Sequence, residues 1–94
     1  VAIERMIISH PLVMDVAVIG MPDKILGERI CAYCTLKDGA RLCLEELVAY
    51  LKGIGASVLQ LPERLELIDA IPLTKVGKAD KKVLKEDIRI KLGL

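Results

Sequence analysis

Two strand-forming runs followed by a helical repeat limit what this chain can fold into. Residues 13–19 are rich in β-branched side chains and read as a buried strand, which Gly20-Met21-Pro22-Asp23 is expected to break. A second strand is expected over 29–36, followed by a turn at Lys37-Asp38-Gly39-Ala40. Leu44, Leu47, Val48, Leu51 and Ile54 then switch to the i, i+3, i+4, i+7 spacing of an amphipathic helix. Glu45 and Glu46 occupy its first turn, where the helix dipole favours anions, and Gly53 and Gly55 close it. Ahead of the first strand, Ile3, Met6 and Ile7 sit at helical spacing and stop before His10-Pro11, because a residue preceding proline avoids the α region. A third strand is expected over 64–68, a loop over 72–78, and a last helix capped by Asp80 with Val83, Leu84, Ile88 and Leu92 as its apolar stripe. The elements interleave without a strict βαβ rhythm. The expected fold is α+β, a small mostly antiparallel sheet of about three strands flanked by helices.

Ninety-four residues suffice for one compact domain and no more. Phe and Trp are absent and Tyr33 and Tyr50 are the only aromatics, so the core must be aliphatic. The apolar share of 53% is large for so short a chain and implies a face turned toward a partner or neighbouring domain. A net charge of +1 gives no electrostatic reason to bind nucleic acid or an anionic membrane. The apolar runs are too short to cross a bilayer, and no signal peptide is read at the start. Cys31 and Cys34 form a C-x-x-C, but strand alternation sends them to opposite faces, which is wrong for a shared metal or a redox pair. Burial is the expected role, no metal site is expected, and the setting is read as reducing and cytoplasmic.

The stretch 72–84, Pro-Leu-Thr-Lys-Val-Gly-Lys-Ala-Asp-Lys-Lys-Val-Leu, is where chemistry is most concentrated. A proline- and glycine-punctuated loop delivers Lys78 just ahead of a capped helix, and flexibility at Gly77 would let its ammonium meet an anionic ligand at close range. A surface turn carrying solvated lysines fits the same residues, and on physics alone both readings stand. Lys81, Lys82 and Lys85 form a basic helix face that is either solvated or turned toward an acidic partner. His10 is expected to cap or pack, not to catalyse.

The pattern of Pro72, Thr74, Gly77, Lys78, Lys81 and Leu84 resembles the terminal motif of the adenylate-forming enzymes. That superfamily joins acyl- and aryl-CoA synthetases, nonribosomal peptide synthetase adenylation domains and luciferases. Other segments resemble the same family in the same order: Ile3-Glu4, Ser9-His10-Pro11-Leu12-Val13, Gly20-Met21-Pro22-Asp23, Leu26-Gly27-Glu28-Arg29, residues 42–47 and Leu61-Pro62-Glu63-Arg64. Within it the chain is most similar to 2,3-dihydroxybenzoate–AMP ligases, siderophore-pathway enzymes that activate an aryl acid for a carrier protein.

The resemblance implies that residues 1–94 are the C-terminal lid domain of such a ligase, whose N-terminal ATP-binding domain is not in this chain. It implies that Lys78 is the catalytic lysine of adenylation and that the domain then rotates for transfer to a phosphopantetheine thiol. Gly27 and Glu28 become candidate neighbours of the pantetheine tunnel, although ordinary turn punctuation explains Gly20, Pro22 and Gly27 as well. ATP and Mg2+ would be held mainly by the larger domain, with no cofactor on this chain. Expected partners are that domain and an aryl carrier protein or CoA. Acylation of Lys78 would remove its charge and stop the step. Alone, the chain is expected to be inactive. Three departures stand out: the interdomain hinge residue, normally Asp or Lys, is not in this chain; Leu59-Gln60 stands where the family often has Tyr-Lys; and Cys43 stands where Ser or Thr usually caps the helix, which predicts a frayed start worth about 1 kcal/mol. The alternatives are an acyl-CoA synthetase using free CoA and, in another class, a free-standing α+β binding module.

Overall fold

The structure is a computed structural model describing residues 2–23 and 27–93, so Leu26 of the Leu26-Gly27-Glu28-Arg29 motif lies outside the described residues. In chain order the elements are α1 (Ala2–Ile8), β1 (Val13–Asp23), β2 (Gly27–Leu36), α2 (Leu44–Gly53), a 3-10 turn (Val58–Gln60), β3 (Arg64–Leu67) and α3 (Lys81–Lys91). The sheet order is β1-β2-β3, with β1 antiparallel and β3 parallel to the central strand. The α+β expectation therefore holds, in a mixed sheet whose antiparallel pairing is the more extensive.

Strand β1 runs further than its sequence predicts. Gly20, Met21 and Pro22 continue the ladder opposite Ile30, Arg29 and Glu28, so the expected break is absent. Met21 is buried beneath α3, and β1 is an edge strand, where a proline's missing N–H is tolerated. One irregularity between Val13 and Asp15 pushes Met14 out of register and into solvent. Beside it, the buried Thr35 hydroxyl donates to Asp15 Oδ2 at 3.4 Å.

Alternation along the central strand builds two cores. Val18, Ala32 and Cys34 meet Ile3 and Ile7 of α1 and Leu47 and Leu51 of α2 on one face. Ala17, Ile19, Met21, Cys31 and Tyr33 meet Leu84 and Ile88 of α3 on the other. Cys31 and Cys34 thus lie on opposite faces, both fully buried, as the alternation predicts. Burial is the first cause raising both thiols, Cys31 to about 11 and Cys34 to about 12, which keeps them unreactive. Val83 does not join the stripe expected of it; it is half exposed, and Leu84, Ile88 and Leu92 carry the contact.

The helix ends are well held. Glu46 Oε1 accepts the Cys43 N–H at 3.1 Å, the reciprocal arm of a capping box. The expected fraying of α2 is thereby offset, and the bonds from the Cys43 side chain and backbone hold Glu46 below the usual carboxylate range. His10 packs as expected: its Nδ1 accepts the Leu12 N–H at 3.1 Å and its ring meets Tyr50 edge-on at 4.6 Å.

Helix α3 is tied to the sheet by a polar network that sequence reading missed. The Tyr33 hydroxyl donates to Asp87 Oδ2 at 2.5 Å, and Lys91 Nζ reaches Glu66 at 2.7 Å and Asp87 at 2.9 Å. Lys91 also sits 5.6 Å from the centre of the Tyr33 ring, and Arg64 pairs with Glu66 at 2.8 Å. Bonds from Tyr33, then Lys91, lower Asp87. Burial opposes ionisation of Glu66, but the bonds from Lys91 and Arg64 outweigh it and leave that carboxyl lowered too. Both carboxyls lose protons more readily folded than unfolded, so their contribution is present above about pH 5 and is lost on acidification. Burial, then the bond to Asp87, pushes Tyr33 well above the usual phenol range, so its contribution is lost as pH rises past about 10. Tyr33→Phe is expected to lower stability by about 1–2 kcal/mol at neutral pH. In denaturant melts from pH 7 to pH 3 the difference between the two proteins is expected to narrow as protonation of the lowered Asp87 carboxylate sets in.

Candidate functional site

Residues 72–80 close into a tight hairpin, not the flexible loop expected of them. The Asp80 N–H donates to the Pro72 carbonyl at 2.7 Å, and Leu73 pairs with Ala79 in an antiparallel bridge. One step further out, the Thr74 N–H donates to the Lys78 carbonyl at 2.7 Å. Lys75, Val76 and Gly77 make the turn, with the Gly77 N–H donating to the Thr74 carbonyl at 3.0 Å. Gly77 has φ +82°, the left-handed position that a three-residue hairpin loop places last and that glycine occupies without strain.

Lys78 follows that glycine, exposed, and among the described residues no hydrogen bond or ion pair engages its ammonium. Two residues on, the Asp80 side chain accepts the Val83 N–H at 3.4 Å and caps α3, so hairpin and helix meet with no slack between them. A third tie comes from α1: Glu4 Oε2 accepts the Val18 N–H at 2.7 Å and pairs with Lys81 Nζ at 3.3 Å. Lys81 is therefore partly spoken for, while Lys75 and Lys82 remain exposed beside the hairpin. The result is a cationic tip on a braced support, suited to meeting an anion delivered from outside.

Gly27 and Glu28 lie elsewhere. With Gly20 and Pro22 they form one wall of a groove of about 410 Å³, whose other wall is Lys82, Lys85, Glu86 and Arg89 of α3; Lys78 does not line it. The structure thus separates the sequence-predicted residues into two places. Lys82, Lys85 and Arg89 follow i, i+3, i+7 spacing on one helix face, a signal legible in the sequence; that this face meets the β1–β2 hairpin is not. Gly27 has φ +83° and open space where a Cβ would point, so its own left-handed backbone favours the glycine, not a close approach among the described residues. Gly20 is the opposite case: a Cβ there would fall within the Glu28 carboxyl, which lies across it.

Gly77→Ala introduces no clash, since nothing lies within 4 Å of the added carbon, and acts through the backbone alone. It is expected to lower stability by about 1–2 kcal/mol, the left-handed penalty of an L residue, and to loosen the hairpin. Thermal unfolding measures the first effect and faster amide exchange at Gly77 and Lys78 the second.

Residues 2–78 match the family model described as AMP-binding enzyme C-terminal domain. The chain is 40% identical over 90 residues to the 2,3-dihydroxybenzoate-AMP ligase of Bacillus subtilis, a match covering 96% of this chain and 16% of that protein. It is 42% identical over 87 residues to a Streptomyces salicylyl-CoA synthase / salicylate adenylyltransferase, covering 93% of this chain and 16% of that one. The apo structure of Mycobacterium smegmatis MbtA superposes with a TM-score of 0.85 at 36% identity, over 89% of this chain and 16% of that one. The chain spans about one-sixth of the length of the curated relatives it matches, 16% in each case above. The match covers most of the chain, and the protein belongs to the C-terminal domain family of the AMP-binding, adenylate-forming enzymes.

Proposed function

We propose that the chain is the mobile C-terminal domain of an aryl-acid–AMP ligase, acting beside an N-terminal ATP-binding domain, and that Lys78 is its catalytic lysine. The observation that carries this reading is the exposed Lys78 on a closed hairpin, its ammonium engaged by no partner among the described residues, within a chain of this family. In adenylation a carboxylate oxygen attacks the α-phosphorus of ATP, and the bond to pyrophosphate breaks. Nucleophile and phosphate are both anions, and a fixed ammonium offsets their repulsion and the charge that builds on the phosphoryl oxygens. ATP and Mg2+ belong to the larger domain in this reading. Among the described residues no three His, Cys, Asp or Glu side chains group to hold a metal.

The second half-reaction passes the acyl group from the adenylate to a phosphopantetheine thiol and releases AMP. In this reading a rotation of the domain between the steps withdraws Lys78 and brings up the groove of Gly20, Gly27 and Glu28; that these residues line a groove apart from Lys78 supports taking them as neighbours of the pantetheine arm. Lys82, Lys85 and Arg89 on its other wall suit an acidic carrier protein or the phosphates of CoA. The similarity to an enzyme named both CoA synthase and adenylyltransferase keeps free CoA as the second acceptor to test. The ATP dependence fits a cytoplasmic enzyme.

In the two-domain enzyme, Lys78→Ala is expected to slow acid-dependent ATP–pyrophosphate exchange by about 100- to 1000-fold, the loss typical of one preorganised electrostatic contact. Exchange at the wild-type rate would remove Lys78 from the chemistry. Offering carrier protein and CoA in parallel identifies the acceptor.

A further inference from the structure

An ammonium stabilises a transition state only if the backbone beneath it is fixed, and the hairpin contains a device for that. We propose that Thr74 is a positioning residue for Lys78, setting through its hydroxyl the direction in which the lysine side chain leaves the hairpin. The proposal rests on the reading of Lys78 as the lysine that meets the reacting anions.

In an ordinary antiparallel closing pair, each residue's N–H donates to the other's carbonyl. Half of that pattern is present: the Thr74 N–H donates to the Lys78 carbonyl at 2.7 Å. The other half is displaced. The Thr74 carbonyl is occupied by the Gly77 N–H at 3.0 Å, as the left-handed turn at Gly77 requires. The Lys78 N–H instead donates to Thr74 Oγ1 at 3.3 Å. Thr74 therefore holds Lys78 at both its N–H and its carbonyl, and one of the two holds is made by a side chain.

That division makes the residue type matter. A hydroxyl on Cβ reaches the Lys78 amide; a methyl in the same place keeps the shape and the strand preference but accepts nothing. The Lys78 peptide plane would then be free to turn toward water, and a rotation there swings a long side chain whose useful end is several bonds away. The Asp80 cap, the Leu73–Ala79 bridge and the Glu4–Lys81 pair would all survive, so the effect is on aim and not on folding.

The test compares Thr74→Val with Thr74→Ser in the two-domain enzyme, with Lys78→Ala in parallel. Thr74→Val is expected to lower kcat for ATP–pyrophosphate exchange by about 10- to 100-fold, the scale of an ångström-sized misplacement, with KM for acid and ATP little changed. Thr74→Ser restores the acceptor and is expected to recover most of that loss. Transfer from a supplied acyl-adenylate to the thiol, which does not use the lysine, is expected to proceed at the wild-type rate in both variants. The melting temperature of each variant is read alongside; should Thr74→Val melt early, Thr74→Ala removes the acceptor without the extra methyl and serves in its place. Wild-type exchange in the variant lacking the hydroxyl, failure of Ser to rescue, or a parallel fall in both half-reactions would each overturn the assignment. If Lys78→Ala leaves exchange intact, the catalytic reading itself fails; if Lys78→Ala stops exchange while Thr74→Val does not, only the positioning role fails.

Discussion

Strand β2 has to be dry on both faces, and the rest of the molecule is arranged to meet that requirement. Cys31, Ala32, Tyr33, Cys34 and Thr35 follow one another along it, none more than 4% exposed. A central strand in a three-stranded sheet has neighbours at both edges, but its faces must be covered by something else. Helices α1 and α2 cover one face and α3 covers the other, and each contributes only a short apolar stripe. Phe and Trp are not available to fill the space, and Tyr33 is the one aromatic fully buried there. Two facing layers of aliphatic side chains do the work, and the single buried tyrosine turns its hydroxyl outward to Asp87 at the edge of the core.

From that strand outward, position is handed on through specific contacts. Tyr33 and Glu66 hold the far end of α3 through Asp87 and Lys91, while Leu84 and Ile88 hold its middle. The near end is capped by Asp80, whose own N–H closes the hairpin that carries Lys78. Glu4 braces the same corner from α1, linking Val18 of the sheet edge to Lys81. The Glu4–Lys81 pair is half exposed and adds little stability by itself. Its value is geometric, since it joins the first helix to the base of the lysine hairpin.

The fold was largely legible because hydrophobic period decides it. The change from strand pattern to helix pattern at residues 36–44, and the stripes on α1, α2 and α3, mark out elements that the structure confirms within a few residues. What stayed hidden depends on partners distant in sequence. Gly20-Met21-Pro22 reads as a break because local propensity says so, yet burial of Met21 under α3 and an edge position for Pro22 override it. Asp87 and Lys91 are a visible i, i+4 pair, but nothing in the sequence says that Tyr33, 54 residues earlier, faces them. The candidate site divides the same way. Lys78 stands out by its punctuation, whereas the hydroxyl that holds its amide is invisible until the turn type is known, because an ordinary hairpin would have used the carbonyl. Gly27 and Glu28 read as turn punctuation, whereas the structure pairs them at the start of β2 opposite Asp23 and Pro22, and the basic wall facing them was legible only as a helix face without an address.

The placement of Tyr33 has an optical consequence. The chain contains no Trp, and its two tyrosines occupy unlike settings: Tyr50 near the surface beside Ser9 and His10, Tyr33 buried with its hydroxyl on a carboxylate. A phenol that donates to a carboxylate absorbs and emits differently from one in water, and its ring held rigidly in a packed core gives near-ultraviolet dichroism that a mobile ring does not. The side chain that anchors α3 is therefore also an ultraviolet chromophore. A motion that lifts this helix from the sheet breaks that hydrogen bond and alters the ultraviolet signal of Tyr33 without a label being attached.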